Sequence, residues 1–280
     1  MTVRTVGDPN HPAVLALHGW PGLSSDWSRV VPLVEEVFWI VPDLRGFGGS
    51  DAPVATQPAQ STPGAHARDL HAVLDHFAVP AATVAGHDIG ATIARVLAQQ
   101  EPDRVTALAL FNPPYPGIAE RRFTPSAQRQ FWYQHLHQLP LAEALLDGRP
   151  SALEAYLGHF YKDWSGAGSP LTTDELNSLV DAYSRPGRFT ASIAYYRARA
   201  QAKLSDAVTA RPPTPPAFVA WGEQDPVMPV EWADRLDTHF DLCHFERVPG
   251  VGHFLPLEAP EVAARTIRTA LVAAVDRTSK

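Results

Sequence analysis

Residues 82–98 read ATVAGHDIGATIARVLA: a short apolar run, then a Gly-His-Asp-Ile-Gly turn at 86–90, then a helix-forming stretch. The apolar run shows no polar alternation, which is typical of a strand buried on both faces of a parallel sheet. A sharp strand–turn–helix bend needs small residues two positions before and after its apex, because its backbone is strained and closely packed. Gly86 and Gly90 stand at those positions around Asp88. The stretch therefore predicts a strand–turn–helix unit that presents the Asp88 carboxyl group.

Similar apolar runs lie on either side of this unit, and helical patterns separate them. In 65–77, for example, five apolar residues fall on one helical face. Strands that alternate with helices in this way predict an α/β fold with a mostly parallel sheet and helices on both faces. The further predicted strands are AVLALHG (13–19), VFWIVPD (37–43), VTALALFN (105–112), AFVAWGEQD (217–225) and HFERVPG (244–250).

The alternation of strands and helices stops after Pro114. Between 115 and about 210 the sequence predicts helices only, in the stretches 128–139, 140–146, 151–161, 172–183 and 189–201. We expect residues 1–114 and 211–280 to form the core, and residues 115–210 to form an inserted helical cap, or lid. Such an insertion is expected to cover the sheet edge where ligands bind in α/β folds.

Composition excludes several classes of function. The net charge of −7 comes from interspersed acids and bases, whereas a nucleic-acid-binding surface needs clustered Lys and Arg. Cys243 is the only cysteine, so no internal disulfide and no cysteine-based zinc site is expected. The N-terminus lacks a signal-peptide pattern, and no apolar run approaches the ~20 residues of a membrane span. We expect a soluble cytoplasmic protein that is a monomer or a homodimer.

Together with the Asp88 turn, four further motifs occur in a characteristic order over nearly the full length. They are His18-Gly19-Trp20-Pro21, DLRGFGGSD (43–51), GEQDP (222–226) and VGHF (251–254). This set resembles the α/β-hydrolase superfamily, in the branch of epoxide hydrolases and dehalogenases that carries Asp where esterases carry Ser. The resemblance implies that Asp88 is the nucleophile, Asp225 the acid and His253 the base, in the chain order of that fold. Only 17 residues precede His18, so the first one or two strands of the usual sheet are expected to be short or missing.

An aspartate nucleophile implies a particular chemistry. A carboxylate is already ionised at neutral pH and can displace a leaving group from saturated carbon, which produces an alkyl ester. His253, oriented by Asp225, then activates water to hydrolyse that ester. The resemblance places the oxyanion-stabilising N–H groups at Trp20 and Ile89, and it implies a cis Trp20–Pro21 bond.

The leaving group decides the substrate. Opening an epoxide produces an alkoxide, which needs a proton donor, and a neutral tyrosine hydroxyl suits that role. Tyr133 and Tyr196 resemble the two lid tyrosines of epoxide hydrolases. We therefore expect hydrolysis of a small apolar epoxide to a vicinal diol without metal or organic cofactor, with His87 and Trp132 lining the pocket. Ile89 and Thr92 stand where fluoroacetate dehalogenases carry carboxylate-binding arginines, which disfavours an anionic substrate.

Alternatives stay open on the sequence alone. The protein could be a hydrolytic dehalogenase that uses the same Asp88 ester, or a catalytically silent ligand-binding member of the fold. Tyr133 and Tyr196 could be aromatic core residues, with Tyr195 and Trp132 as adjacent competitors for the proton-donor positions. Asn112 occupies the rival position for the acid in related enzymes, but it is not acidic. His18 and His87 could be purely structural.

Overall fold

In the computed structural model, which describes residues 1–52, 58–201 and 215–278, seven strands form one sheet. The order is β1-β3-β2-β4-β5-β6-β7, and every neighbouring pair is parallel except β1 and β3. The edge strand β1 has only four residues, in agreement with the short first strand expected from the sequence. The strands are β1 (Val3–Val6), β2 (Ala13–Leu17), β3 (Phe38–Pro42), β4 (Ala82–His87), β5 (Val105–Phe111), β6 (Pro216–Gly222) and β7 (Asp241–Val248).

Helices cover both faces of the sheet, which confirms the predicted fold class. The α-helices are α1 (Pro63–His76), α2 (Ile89–Gln100), α3 (Pro125–Gln130), α4 (Trp132–Leu136), α5 (Leu141–Leu146), α6 (Pro150–Asp163), α7 (Thr173–Ser184), α8 (Arg188–Gln201), α9 (Leu236–His239), α10 (Leu255–Glu258) and α11 (Pro260–Thr278). Short 3₁₀ helices span Ser24–Trp27, Val31–Leu33, Pro58–Ser61, Pro102–Arg104, Pro116–Phe123 and Val230–Arg235.

The central strands divide their side chains between two apolar layers. In β2, Leu15 and Leu17 pack in the layer that contains α1 and α2, while Val14 and Ala16 pack in the layer that contains α11. Because successive side chains of a strand point to opposite faces, a strand that is apolar throughout must be covered on both sides. All residues of β2, β3, β4 and β6 are buried accordingly.

Between β5 and β6, the described residues 116–201 contain helices and no strand, and we call them the inserted helical segment. The predicted return to the core at residue 211 lies outside the described residues. One prediction was wrong: the helix expected over 128–139 is two short helices, α3 and α4, with a break at Phe131. Phe131 has φ −88° and ψ 12°, outside the helical region, and Tyr133, two residues later, is buried.

The carboxyl ends of the parallel strands place the predicted motifs at one edge of the sheet. The Trp20 loop follows β2, Asp88 follows β4, Asp225 follows β6, and His253 follows β7. This edge is where ligands bind in open α/β sheets. In the part of the chain that the structure describes, none of the helices is long and apolar enough to cross a membrane.

Candidate active site

The turn at Asp88 is strained and closely packed, as its glycines predicted. Asp88 has φ 48° and ψ −121°, a conformation that L-residues rarely adopt. A Cβ atom on Gly90 would lie 2.5 Å from the carbonyl oxygen of Leu17, and one on Gly86 would lie 2.8 Å from the carbonyl oxygen of Gly90. Glycine is therefore required at both positions for α2 to begin directly beneath the Asp88 carboxyl group.

The Asp88 carboxyl group is buried among hydrogen-bond donors. The Trp20 backbone N–H donates to Asp88 Oδ2 at 3.1 Å. The Trp20–Pro21 bond is cis, as the resemblance implied. Burial raises the pKa of Asp88, while His253 and the backbone N–H groups of Trp20 and Ile89 act in the opposite direction and favour the carboxylate. The two N–H groups predicted for oxyanion stabilisation thus act on one carboxyl group.

His253 and Asp225 form a buried pair. His253 Nδ1 lies 2.8 Å from Asp225 Oδ2, and His253 is 1% exposed. Burial opposes the imidazolium charge, but Asp225, Asp88 and then Glu258 outweigh it, so the pKa of His253 is raised. With Nδ1 bonded to Asp225, the imidazole keeps Nε2 for a second proton partner.

Each carboxylate oxygen of Asp225 has two hydrogen-bond partners. Oδ1 accepts the backbone N–H groups of Val227 (2.8 Å) and Met228 (2.9 Å). Oδ2 accepts a bond from Asn112 Nδ2 at 2.7 Å in addition to the bond with His253. A carboxylate with about four acceptor positions is thus saturated, which fixes its orientation.

Asn112 was considered in the sequence only as a non-acidic residue at a rival acid position. In the structure it is fully buried after β5, and its amide links Asp225 to the histidine turn. Nδ2 also donates to the carbonyl oxygen of Gly252 at 3.2 Å, and Oδ1 accepts the N–H of Gly222 at 3.4 Å. The signal that could have found it was its place at the end of a strand next to β6.

The backbone of His253 is held from several sides. Its N–H donates to the carbonyl oxygen of Trp164 in the inserted helical segment at 2.7 Å, and its carbonyl oxygen accepts a bond from His87 Nε2 at 2.8 Å. Glu258 accepts the N–H groups of Gly252 and Phe254, each at 2.9 Å, and so holds the turn on both sides of the histidine. Sequence reasoning missed Glu258. The His87 ring nitrogen that makes this bond supports His253, rather than facing a substrate as expected.

Tyr133 and Tyr196 meet above Trp20. The Tyr133 ring stacks on the indole of Trp20, with centroids 5.1 Å apart and an interplanar angle of 7°. Tyr196 packs edge-on against Trp20 (5.7 Å) and against Tyr133 (5.6 Å). Burial, together with the Asp88 charge, raises the pKa of both tyrosines, so both are neutral donors. The structure thus brings both predicted tyrosines to the Trp20 loop and within the electrostatic influence of Asp88.

A hydrogen-bond chain behind Tyr133 was not foreseen beyond the Tyr-Gln pair itself. Arg122 Nη2 donates to Gln134 Oε1 at 2.9 Å, and Gln134 Nε2 donates to the Tyr133 hydroxyl oxygen at 3.0 Å. Because the amide occupies an acceptor position of that oxygen, the hydroxyl proton is left to be donated elsewhere. Both Gln134 and Arg122 lower the pKa of Tyr133, although burial dominates.

Trp132 differs from the expectation that it lines the site. Its side chain is on the outer side of α4, 39% exposed, and packs on Phe160 with ring centroids 6.0 Å apart. Adjacent helix positions face different directions, so only one of Trp132 and Tyr133 can point inward. His137, four residues after Tyr133, does point inward and packs on Trp20 with centroids 4.9 Å apart. His135 instead bonds to Gln128 at the surface.

Comparison with protein families agrees with this geometry. A family model described as alpha/beta hydrolase fold matches residues 12–260. The chain belongs to this family. The match covers the Trp20 loop, the Asp88 turn, the inserted helical segment and the turns that carry Asp225 and His253.

Relatives from within the α/β-hydrolase family carry two kinds of activity in their names. Human epoxide hydrolase 4 is 26% identical over 276 residues, which cover 95% of this chain and 74% of that protein. A fluoroacetate dehalogenase from a Burkholderia species is 29% identical over 281 residues, which cover 96% of this chain and 90% of that protein. The crystal structure of epoxide hydrolase A from Mycobacterium thermoresistibile matches with a TM-score of 0.79 and 26% identity, over 95% of this chain and 93% of that one.

Proposed function

We propose that the protein is an epoxide hydrolase that converts an epoxide to a vicinal diol. The observation that carries the proposal is the pair of buried, neutral tyrosines, Tyr133 and Tyr196, packed on Trp20 within the influence of the Asp88 charge. Two neutral hydroxyl donors opposite a carboxylate suit a reaction that releases an alkoxide. The surrounding rings of Trp20, Phe160 and Tyr156 favour an apolar substituent next to the epoxide.

In the first half-reaction, an Asp88 carboxylate oxygen attacks an epoxide carbon and the C–O bond to the ring oxygen breaks. The ring oxygen takes a proton from Tyr133 or Tyr196, and the product is a hydroxyalkyl ester of Asp88. The Gln134 amide bonded to the Tyr133 oxygen leaves the proton of Tyr133 directed away from Gln134. Arg122 stabilises the resulting tyrosinate through Gln134.

In the second half-reaction, His253 Nε2 removes a proton from water, and the water oxygen attacks the ester carbonyl carbon of Asp88. The N–H groups of Trp20 and Ile89 stabilise the oxyanion. On collapse, the bond to the substrate oxygen breaks and that oxygen takes the proton of the added hydroxyl, so the diol leaves with the original carboxylate oxygen and Asp88 returns as a carboxylate with one oxygen from water. The proton held by His253 then restores the tyrosine. Asp225 stabilises the imidazolium throughout.

A single-turnover reaction with styrene oxide in ¹⁸O-labelled water tests this proposal. We expect the first-turnover diol to carry unlabelled oxygen and the label to appear in the peptide that contains Asp88, with no turnover by Asp88→Ala. Diol labelled in the first turnover would mean direct water attack and would overturn the ester mechanism.

One observation favours a second candidate, a hydrolytic dehalogenase. Within the described part of the chain, the buried indole N–H of Trp20 has no hydrogen-bond partner, and an N–H donor beside the nucleophile suits a departing halide. The fluoroacetate dehalogenase relative is consistent with it. Halide release from haloacids or haloalkanes, with no activity on epoxides, would select this candidate. Absence of both activities would select the ligand-binding alternative.

A further inference from the structure

The ring of His137 lies inside the group of aromatic side chains that surrounds Trp20. It contacts the Trp20 indole edge-on, with ring centroids 4.9 Å apart and an interplanar angle of 73°. The centroid of the same imidazole is 5.1 Å from that of the Tyr196 ring and 5.4 Å from that of the Tyr133 ring. A histidine is therefore packed against the Trp20 side chain and against both proposed proton donors.

Two polar atoms at this contact have no hydrogen-bond partner. His137 and Trp20 are fully buried, and within the described residues neither His137 Nδ1 nor Trp20 Nε1 makes a hydrogen bond. A buried polar group without a partner is costly, and apolar side chains of the same shape would fill the space without that cost. Two such atoms, on rings that contact each other, therefore indicate a place where a bound molecule supplies the missing partner.

The orientation of His137 is fixed by bonds that leave Nδ1 free. Its Nε2 lies 3.0 Å from the hydroxyl oxygen of Tyr156, and its backbone carbonyl oxygen accepts a bond from Arg197 Nε at 2.8 Å. Burial, together with the Arg197 charge, lowers the pKa of His137 to about 3, so the ring is neutral at pH 7. A neutral imidazole carries one N–H, so Nδ1 is the acceptor where Nε2 donates to Tyr156 and the donor where Nε2 accepts.

Trp20 relates these two atoms to the nucleophile. Its backbone N–H donates to Asp88 Oδ2 at 3.1 Å, whereas its side chain contacts His137. Because the backbone N–H and the indole N–H belong to one residue, an oxygen bonded to the indole N–H lies within a few covalent bonds of the carbon that Asp88 attacks. The pair therefore acts on a substituent next to the epoxide rather than on the far end of the substrate.

We propose that Trp20 Nε1 and His137 Nδ1 bind a hydroxyl group on the carbon next to the epoxide, so that the preferred substrates are epoxy alcohols with an apolar substituent. This inference rests on the proposed epoxide hydrolysis and names its substrate class. The hydroxyl oxygen accepts the indole N–H of Trp20. A hydroxyl also complements both tautomers of His137, since it donates to Nδ1 in one and accepts from Nδ1 in the other. A carbonyl oxygen or a halide complements only the second tautomer.

The test compares phenylglycidol with β-methylstyrene oxide, which carry the same ring and the same epoxide and differ by one hydroxyl oxygen. The readout is the ratio of the two kcat/KM values, so that a general loss of activity cancels. His137→Phe keeps a ring and removes both nitrogens, and we expect it to lower the preference for the alcohol about tenfold, the size of one buried hydrogen bond. His135→Phe, two residues earlier and exposed at the surface, is the matched control and should leave the ratio unchanged.

Two further variants separate binding by Nδ1 from a structural role of His137. His137→Asn keeps a hydrogen-bonding atom near the position of Nδ1 and loses the bond to Tyr156. His137→Gln keeps such an atom near the position of Nε2 and loses Nδ1. The preference for the alcohol should persist in His137→Asn and be lost in His137→Gln. The opposite order, or an equal effect of both, would refute the subsite and mean that His137 acts through Tyr156 or through packing.

Failure of this inference and failure of the proposed function give different results. If both epoxides are hydrolysed and the ratio is the same in His137→Phe as in the wild type, the subsite is refuted while epoxide hydrolysis stands. If neither epoxide is hydrolysed, the proposed function fails, and calorimetric titration with cinnamyl alcohol, which lacks the epoxide, decides the subsite. Binding about tenfold weaker in His137→Phe and unchanged in His135→Phe would support it. Equal binding in all three proteins, or no binding to any, would refute it.

Discussion

The two regions that meet at the site hold their functional groups in different ways. In the sheet core, Asp225 satisfies both oxygens with four hydrogen bonds, and Glu258 and His87 hold the backbone around His253. In the inserted helical segment, Tyr133 and Tyr196 are positioned mainly by ring packing. Hydrogen bonds therefore fix the positions of the functional groups in the core. Side chains of the helical segment are held mainly by packing, so substitutions there can alter the substrate more easily.

Replacing His253 tests the role of the sheet core and is expected to have the largest effect on activity. His253→Gln keeps the site filled but removes the base for water, so turnover should fall by at least about 10³-fold. Because ring opening does not need His253, the Asp88 ester should accumulate. Intact-protein mass spectrometry after mixing with styrene oxide measures it as a gain of one substrate mass, which should be missing in Asp88→Ala. Loss of turnover without ester accumulation in His253→Gln would contradict the assignment of ring opening to Asp88 and ester hydrolysis to His253.

Replacing the tyrosines tests the helical half of the comparison. Tyr133→Phe and Tyr196→Phe should each slow ring opening about 10-fold to 100-fold, because each removes a donor and leaves the ring packing. The rate of ester hydrolysis should change little, which rapid-quench kinetics separates from ester formation. Trp132→Phe is the matched control, since its ring is on the outer side of α4, and it should stay near wild-type activity. A larger loss for Trp132→Phe than for Tyr133→Phe would reverse the assignment.

This difference between the regions also explains what the sequence could predict. Asp88, Asp225 and His253 stand in short local motifs, and the resemblance of those motifs to the α/β-hydrolase superfamily predicted that the three residues form one site. Trp132 was misplaced because the sequence pattern does not report the helix break at Phe131, and adjacent residues on a helix face different directions. Glu258 accepts bonds from the turn four to six residues before it, and the Arg122–Gln134 bond joins two separate helices; no periodicity of the sequence reports either contact.

Asn112 tests how far the core depends on its hydrogen-bond network. Asn112→Ala removes the donor to Asp225 Oδ2 and leaves the buried Gly222 N–H and Gly252 carbonyl groups without that partner. We expect a loss of about 1–3 kcal/mol in the free energy of unfolding, measured by urea denaturation. The ester hydrolysis step should slow by about tenfold, with ring opening less affected, because the reduced support of Asp225 acts only through His253. Equal slowing of both steps would indicate a general structural defect instead.

Asp26 lies where the sheet core and the inserted helical segment meet. We expect its replacement to change the stability of the protein rather than its activity. The carboxyl group is 8% exposed, and burial raises its pKa to about 7, with the N–H of Leu23 opposing. Its charge acts on Tyr161 and Tyr183 of the inserted helical segment, whose buried hydroxyls have no hydrogen-bond partner within the described residues. At the contact between the two regions, an acid is therefore held in an environment that favours its neutral form.

The pH dependence follows from the direction of that shift. Since the folded-state pKa lies above the ordinary value of 3.8, the native protein binds a proton that the unfolded chain has released, so this group's contribution to stability falls as pH rises from about 4 to about 7. Asp26→Asn keeps the shape and cannot ionise. Relative to the wild type, its Tm should rise by several degrees between pH 5 and pH 8, corresponding to roughly 2–4 kcal/mol. A Tm difference that is the same at both pH values would mean that Asp26 is already ionised in the native protein, and that the junction of the two regions tolerates a buried charge.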